Sequence, residues 1–161
     1  MSTPTIGGPA PAFSCESDTR EQVSLESLRG RPAVLYFYPK DDTPGCTRQA
    51  SSIRDNWGEF ERSGIALYGV SPDTVESHIR FKQKYELPFP LLADPDHSMA
   101  DAYGTWVEKK NYGKTYMGIE RSAFLIDADG NLAAAKRRIK PEDTVSWALA
   151  EVAKLGDAAK A

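Results

Sequence analysis

Cysteine is scarce in this sequence: Cys15 and Cys46 are the only two among 161 residues. Two thiols are too few for the disulfide framework of a small secreted scaffold, so a reducing compartment is expected and each cysteine needs its own explanation. Positive charge is not in excess either. The formal net charge of −3 argues against nucleic acid or anionic lipid as a main partner, because clustered cations hold both. The one basic cluster, Lys136-Arg137-Arg138 with Lys140, falls on an expected strand whose outer face should be charged. Long apolar runs are missing: the longest, Ala33–Tyr38, has six residues, against the ~20 that span a bilayer. Met1–Pro11 has neither a basic leader nor an apolar stretch, so no signal peptide is expected and the cytoplasm is the expected location. Repeats, low-complexity tracts and long linkers are absent too, which leaves a single domain over residues 1–161.

What is present is an ordinary globular composition, 40 % hydrophobic and 27 % charged, in a chain long enough to bury roughly two thirds of its unfolded surface. After a Pro/Gly-rich arm, a strand is expected near Gln22–Leu25. Ala33–Tyr38, bounded by Pro32 and Pro39, reads as a strand buried on both faces. From Cys46 to about Arg62 the apolar positions Ala50, Ile53, Trp57 and Phe60 recur at spacings of three and four. That is the stripe of an amphipathic helix, stopped by Ser63-Gly64. Ile65–Val70 is a second buried strand. Ser71 is expected to cap a helix entered through Pro72 and running to about Tyr85, with Val75, Ile79 and the stem of Lys82 inward. Leu87–Ala93 reads as a strand interrupted by prolines, and Ser98–Tyr103 as a short helix ended by Gly104. Ser122–Ile126 and Leu132–Ile139 form a hairpin around Asp127–Gly130, and Pro141 opens a final helix to about Leu155. The order βαβα, then hairpin, then helix resembles the thioredoxin-like α/β folds, a mixed central sheet flanked by helices on both faces.

In such sheets, sites are built in the loops after the carboxyl ends of the parallel strands. Cys46 lies there, behind the polar turn Lys40–Gly45 and in the first turn of the next helix. Unpaired N–H groups and the positive end of the helix dipole favour an anion at that point. A reactive cysteine needs this, since an ordinary thiol with a pKa near ~8.5 is only about 3 % ionised at pH 7. A buried cysteine acting as a small hydrophobe is the plain alternative. Other signals are weaker. Tyr112–Thr115 ends like a phosphate-binding loop but has Glu108 where that motif needs glycine. Asp127–Gly130 is a hairpin turn; its glycine comes too early for a calcium loop and no glutamate closes it. His78 is expected on a solvated helix face and His97 at a helix start, and Asp94, Asp96 and His97 make a poor cation set. A Cys–His hydrolase would need one of these histidines beside Cys46.

The segment Tyr38-Pro39-Lys40-Asp41-Asp42-Thr43-Pro44-Gly45-Cys46-Thr47 resembles the Pro-x-x-x-Thr-x-x-Cys signature of the peroxiredoxins. Its flanks resemble the branch called bacterioferritin comigratory protein, or peroxiredoxin Q. The resemblance runs through most of the chain. Pro11-Ala12-Phe13 is similar to the family's opening strand, and Tyr68–Pro72 with Phe81–Tyr85 to its second βα unit. Trp106, Tyr112-Gly113-Lys114, Tyr116 and Gly118 are similar to its later loop, and Arg121-Ser122 to its arginine before a strand.

This resemblance implies a thiol-dependent peroxidase that reduces hydrogen peroxide and organic hydroperoxides and requires neither a metal nor an organic cofactor. By the same resemblance Cys46 is the peroxidatic cysteine and is oxidised to a sulfenic acid; Thr43 and Arg121 hydrogen-bond the peroxide, and Pro39 shields the thiolate. Complete ionisation of such a thiol gains at most ~30-fold at pH 7, so a fast peroxidase also needs donors for charge developing on the leaving oxygen. Thr43, Arg121 and the first-turn N–H groups are the available ones. A redox sensor or relay that passes oxidation to a partner protein is the alternative reading, and a holdase-type chaperone a third.

Members of this branch usually carry a resolving cysteine five residues beyond the first or on the next helix. Here the first position is Ser51, and Ser71–Tyr85 contains no cysteine. Cys15 stands where the family commonly has an apolar residue and shares a strand face with Phe13, so a structural role is expected, with resolving or intermolecular pairing as alternatives. The expectation is a one-cysteine cycle completed by an external thiol or thioredoxin-like protein, in a monomer.

Overall fold

Buried apolar runs and polar turns alternate along the chain as β1 (Ser14–Ser17), β2 (Gln22–Ser24), β3 (Ala33–Phe37), α1 (Pro44–Asp55), α2 (Trp57–Ser63), β4 (Ala66–Ser71) and α3 (Val75–Tyr85). They continue as β5 (Leu91–Ala93), α4 (Ser98–Tyr103), β6 (Trp106–Asn111), β7 (Lys114–Ile119), β8 (Ser122–Ile126), β9 (Leu132–Lys136) and α5 (Thr144–Lys160). The computed structural model describes residues 4–160; Met1–Thr3 and Ala161, the ends of the expected domain, lie outside the described residues.

Seven strands form one mixed sheet in the order β2-β1-β5-β4-β3-β8-β9. Within it β3, β4 and β5 run parallel, while β8 pairs antiparallel with β3 and β1 antiparallel with β5. A strand with no polar face must be covered on both sides, and β3 sits near the middle accordingly. Val34, Tyr36 and Tyr38 face one core together with Ala50 and Ile53 of α1, Phe60 of α2 and Ala148 of α5. Ala33, Leu35 and Phe37 face the other, against Met99, Ala100 and Tyr103 of α4. This is the thioredoxin-like arrangement read from the element order. No helix among the described residues is long and apolar enough to cross a membrane.

Several local expectations are corrected. The single helix expected over Cys46–Arg62 is two, because Asn56 leaves helical geometry (φ −112°, ψ 16°) and its side-chain amide donates to the Ser52 carbonyl at 2.8 Å. An Asn side chain that satisfies a backbone carbonyl can replace the helical partner lost at a break. The cap of α3 is Thr74, whose hydroxyl accepts the Ser77 N–H, whereas Ser71 ends β4. The inward positions of α3 are Val75, His78 and Phe81, with Ile79 only half-buried, so His78 is a core residue and not a solvated one. Trp106, Tyr112-Gly113-Lys114, Tyr116 and Gly118, likened to a loop, belong to a separate two-stranded hairpin of β6 and β7 turning at Tyr112-Gly113, both at positive φ. β9 stops at Lys136, two residues before Arg138 turns left-handed at φ 53°. Asp94, Asp96 and His97 do not converge on a cation. Asp94 accepts the Met99 and Ala100 N–H groups at the start of α4, while His97 stacks on Trp106.

Gly69 of β4 lies opposite Tyr36 of β3, and a Cβ there would stand 2.9 Å from Leu91 Cδ2 and from Tyr36 Cζ and Oη. All of these are core atoms with little room to move. Gly69→Ala is expected to destabilise the protein by ~1–3 kcal/mol through overpacking, seen as a lower urea midpoint at unchanged m-value.

Candidate active site

The site is built where β3 runs out. Tyr38 N–H still bonds the Val70 carbonyl of β4 at 3.0 Å, and then the chain turns sharply, with Asp42 at φ 59°. Thr43 is extended (φ −99°, ψ 155°) and Pro44 is the first residue of α1, a position that suits proline's fixed φ and missing N–H. Thr47 N–H bonds back to the Thr43 carbonyl at 2.8 Å. Gly45 and Cys46 supply first-turn N–H groups that a helix cannot satisfy internally. Cys46, buried at 2 % exposure, therefore lies at the positive end of a three-turn helix dipole.

Arg121, between β7 and β8, completes the site from the other side of β3. Its Nη2 donates to Cys46 Sγ at 3.3 Å and its Nη1 to Gln49 Oε1 at 2.6 Å. Gln49 Nε2 in turn donates to Thr144 Oγ1 at 2.8 Å, and that hydroxyl donates to the Lys140 carbonyl at 3.1 Å. The guanidinium fork is thus fixed by a chain of bonds running into the start of α5. Gln49 was not singled out in the sequence. It lies three residues from Cys46, on the same helix face, and a polar residue amid the buried stripe of Cys46, Ala50 and Ile53 was the available signal.

Thr43 and Pro39 lie on the same loop, both half-buried. The Thr43 hydroxyl donates to the Lys40 carbonyl at 2.9 Å, so its hydrogen is already committed and its oxygen remains as an acceptor. Tyr36, in the same core cluster as Cys46, has the one buried side-chain polar atom without a hydrogen-bond partner among the described residues. Burial, then the charges of Cys46 and Asp41, push its hydroxyl well above the usual tyrosine range. Beyond Arg121 opens a groove of about 410 Å³ lined by Val107, Lys109, Lys110, Tyr116 and Arg138. Lys109 has a lowered pKa there, first from burial and then from the neighbouring Arg121 charge.

Cys15 is not part of this constellation. It packs in the core on the opposite sheet face, with Sγ 3.8 Å from Met99 Sδ. Two strands, β5 and β4, stand between β1 and β3, a separation of about 14 Å at the usual strand spacing. Burial, then the charges of Asp94 and Asp96, push its thiol up to about 12.

Gly45 is where the guanidinium comes closest to the helix: a Cβ there would stand 3.2 Å from Arg121 Nη2 and 3.8 Å from Pro141 Cγ. The first neighbour is the far end of a flexible side chain, so Gly45→Ala is expected to cost little stability. It should displace the fork from Cys46 and lower the peroxide rate roughly tenfold, measurable by stopped-flow beside an unchanged melting curve.

Residues 6–135 match the model of the AhpC/TSA family. Peroxiredoxin Bcp of Bacillus subtilis is 49 % identical over 144 residues, covering 89 % of this chain and 92 % of its own. The bacterioferritin comigratory protein of Xanthomonas campestris, in structures concerned with its alkyl peroxide reduction activity, superposes with a TM-score of 0.83 at 35 % identity, covering 88 % of this chain and 90 % of its own. A mutant PrxQ of Xylella fastidiosa gives a TM-score of 0.89 at 29 % identity, over 97 % of this chain and 99 % of its own. With the fold, the Thr43–Cys46 loop and the family match in agreement, the chain belongs to the AhpC/TSA family, in its peroxiredoxin Q branch, and is a thiol peroxidase.

Proposed function

We propose that Cys46 is the peroxidatic nucleophile, that Arg121, Thr43 and Pro39 form its site, and that the enzyme turns over by a one-cysteine cycle. The observation that carries this reading is the 3.3 Å contact between Arg121 Nη2 and a sulfur in the first turn of α1. The thiolate attacks one oxygen of a hydroperoxide; the S–O bond forms, the O–O bond breaks, and sulfur gives up two electrons. The departing oxygen takes a proton and leaves as water or an alcohol, and Cys46 is left as a sulfenic acid. Negative charge grows on that departing oxygen, and the Arg121 fork with the first-turn N–H groups supplies fixed donors for it. Thr43 Oγ1 accepts the peroxide O–H, which orients the pair of oxygens. Pro39 at the start of the loop limits water around the sulfur. Hydrogen peroxide fits this chemistry, and the alkyl peroxide activity named for the Xanthomonas campestris relative supports organic hydroperoxides as well.

An external thiol or thioredoxin-like protein then attacks the sulfenic sulfur, water leaves, and a second thiol releases Cys46 from the mixed disulfide. Three features favour this over an internal partner. α1 continues unbroken through Ser51, Cys15 lies behind the sheet, and its raised pKa keeps it a thiol. The two free cysteines suit a reducing cytoplasm. Large exposed apolar side chains among the described residues are few, namely Ile6, Tyr112, Tyr116 and Met117, which suits a single-domain monomer.

Cys46→Ser is expected to reduce steady-state peroxide consumption to the uncatalysed rate, and Arg121→Ala to lower the second-order rate by ~10²–10³ as one fixed donor is lost. An Arg121→Ala protein with a normal rate and only a lower melting temperature would make the arginine structural. Turnover with a thioredoxin system distinguishes an enzyme from a sensor, which reacts once.

Cys15→Ser should keep most of its activity with an external thiol, while excess peroxide drives wild-type Cys46 on to sulfinic acid. Peptide mapping after one equivalent of peroxide checks this. A stoichiometric Cys15–Cys46 bridge within one chain, with turnover lost in Cys15→Ser, overturns the one-cysteine cycle.

A further inference from the structure

Beneath the active-site loop lies a set of buried polar side chains that the chemistry above does not use. His78 of α3 is 0 % exposed and Asp41 of the loop 7 %. His78 Nε2 lies 2.9 Å from the Leu92 carbonyl oxygen and Nδ1 2.7 Å from Asp41 Oδ2. A carbonyl oxygen only accepts, so Nε2 carries a hydrogen. A second hydrogen must lie between Nδ1 and Oδ2. Whether the pair is imidazolium with carboxylate or imidazole with carboxylic acid, it has no net charge, so neither partner is an isolated buried ion.

Asp41 is engaged from every other direction as well. The Tyr38 hydroxyl donates to Oδ1 at 2.6 Å and the Ser77 hydroxyl to Oδ2 at 2.8 Å. The Asp41 backbone N–H donates to Asp73 Oδ2 at 2.8 Å, which also accepts the Ser71 hydroxyl at 2.6 Å. Asp41, Asp73 and His78 lie close enough to suggest a cation, yet these hydrogen bonds already account for their arrangement. The next residue, Asp42, accepts from Lys84 Nζ at 2.8 Å and Tyr85 Oη at 2.7 Å. The loop is therefore tied along its length to β4, α3 and β5.

Two facts make that tie consequential. Asp42 holds a left-handed φ of 59°, a conformation that aspartate tolerates better than most side chains but that the surrounding contacts must still hold. Thr43 caps α1 without any side-chain bond to the helix, and its hydroxyl is bonded instead to the Lys40 carbonyl of its own loop. The direction of its side chain therefore depends on how that loop is held.

We propose that the Asp41–His78 pair is the positioning element of this loop, fixing residues 39–43 against α3 and β5 and so aligning Thr43 with the sulfur of Cys46. This rests on Cys46 as the reacting thiol. Asp41 and His78 are positioning residues: they act through the loop.

The test compares Asp41→Ala, Asp41→Asn and Tyr38→Phe in the full chain. Each is measured for its stopped-flow rate with hydrogen peroxide, its rate of Cys46 alkylation by iodoacetamide, and its melting temperature. Alkylation needs the sulfur but not the peroxide-orienting groups. Asp41→Ala is expected to lower the peroxide rate at least tenfold while alkylation stays near wild type. Asp41→Asn should restore most of the peroxide rate, because its amide oxygen accepts from Tyr38 and its NH₂ donates to Nδ1 of a His78 imidazole, with only the Ser77 hydroxyl losing its acceptor. Tyr38→Phe keeps the ring and removes one anchor, so it reads the same effect at smaller size should Asp41→Ala not fold. A full peroxide rate with only a lower melting temperature, in Asp41→Ala or in Tyr38→Phe, overturns the proposal. So does a parallel fall in both reactions, which would place the effect in the sulfur itself. A Cys46→Ser control separates the levels: peroxide consumption surviving there overturns the site assignment and the proposal together, whereas an inert Cys46→Ser beside a fully active Asp41→Ala overturns the positioning alone.

Discussion

Phe37 at the end of β3 lies opposite Ser122 at the start of β8, and this register carries Arg121, one residue earlier, to the mouth of the loop that leads into α1. A slip of one residue would turn the side chains of β8 to the opposite faces of the sheet and take the guanidinium away from the sulfur. The register is strongly specified because β8 is buried along its whole length, as β3 is. A contact between the guanidinium and the sulfur of residues 75 positions apart is therefore held by the most apolar part of the molecule.

The two cysteines show how far surroundings decide the chemistry of one side chain. Both are buried and both are free. Cys46 has a helix N-terminus, a guanidinium and unpaired amides around it, all of which favour negative charge. Cys15 has Met99 and Tyr103 on its side of the sheet and the carboxylates of Asp94 and Asp96 nearby, which oppose it. The sheet keeps the two environments apart.

A buried polar network beneath the loop that leads into α1 has a cost and a use. Each unpaired member would lose free energy comparable to a missing hydrogen bond, so such a network works only when complete. Around Asp41 every donor and acceptor in contact finds a partner, with His78 bridging to the Leu92 carbonyl of β5. The parallel strands supply rigid walls, and the loop between β3 and α1 takes its shape from them.

Much of this was legible in the residues themselves. The uninterrupted apolar run Ala33–Tyr38 determined a central strand, because a segment without a polar face can only be buried on both sides. The apolar stripe that follows it determined a helix with Cys46 in its first turn, although that helix opens two residues earlier than the stripe showed, at Pro44, because Pro44 and Gly45 carry no apolar spacing of their own. Periodicity could not locate the break at Asn56, where a side chain and a backbone carbonyl pair off locally, nor the hairpin of β6 and β7, whose polar strands carry little apolar alternation. Only the tertiary structure decided which polar residues meet. Gln49, Arg121 and Thr144 join through contacts spanning much of the chain, as do Asp41 and His78. A hydrogen bond between distant residues leaves no local period in a sequence. Whether a histidine at helical spacing faces solvent or a carboxylate depends on what the fold packs against it.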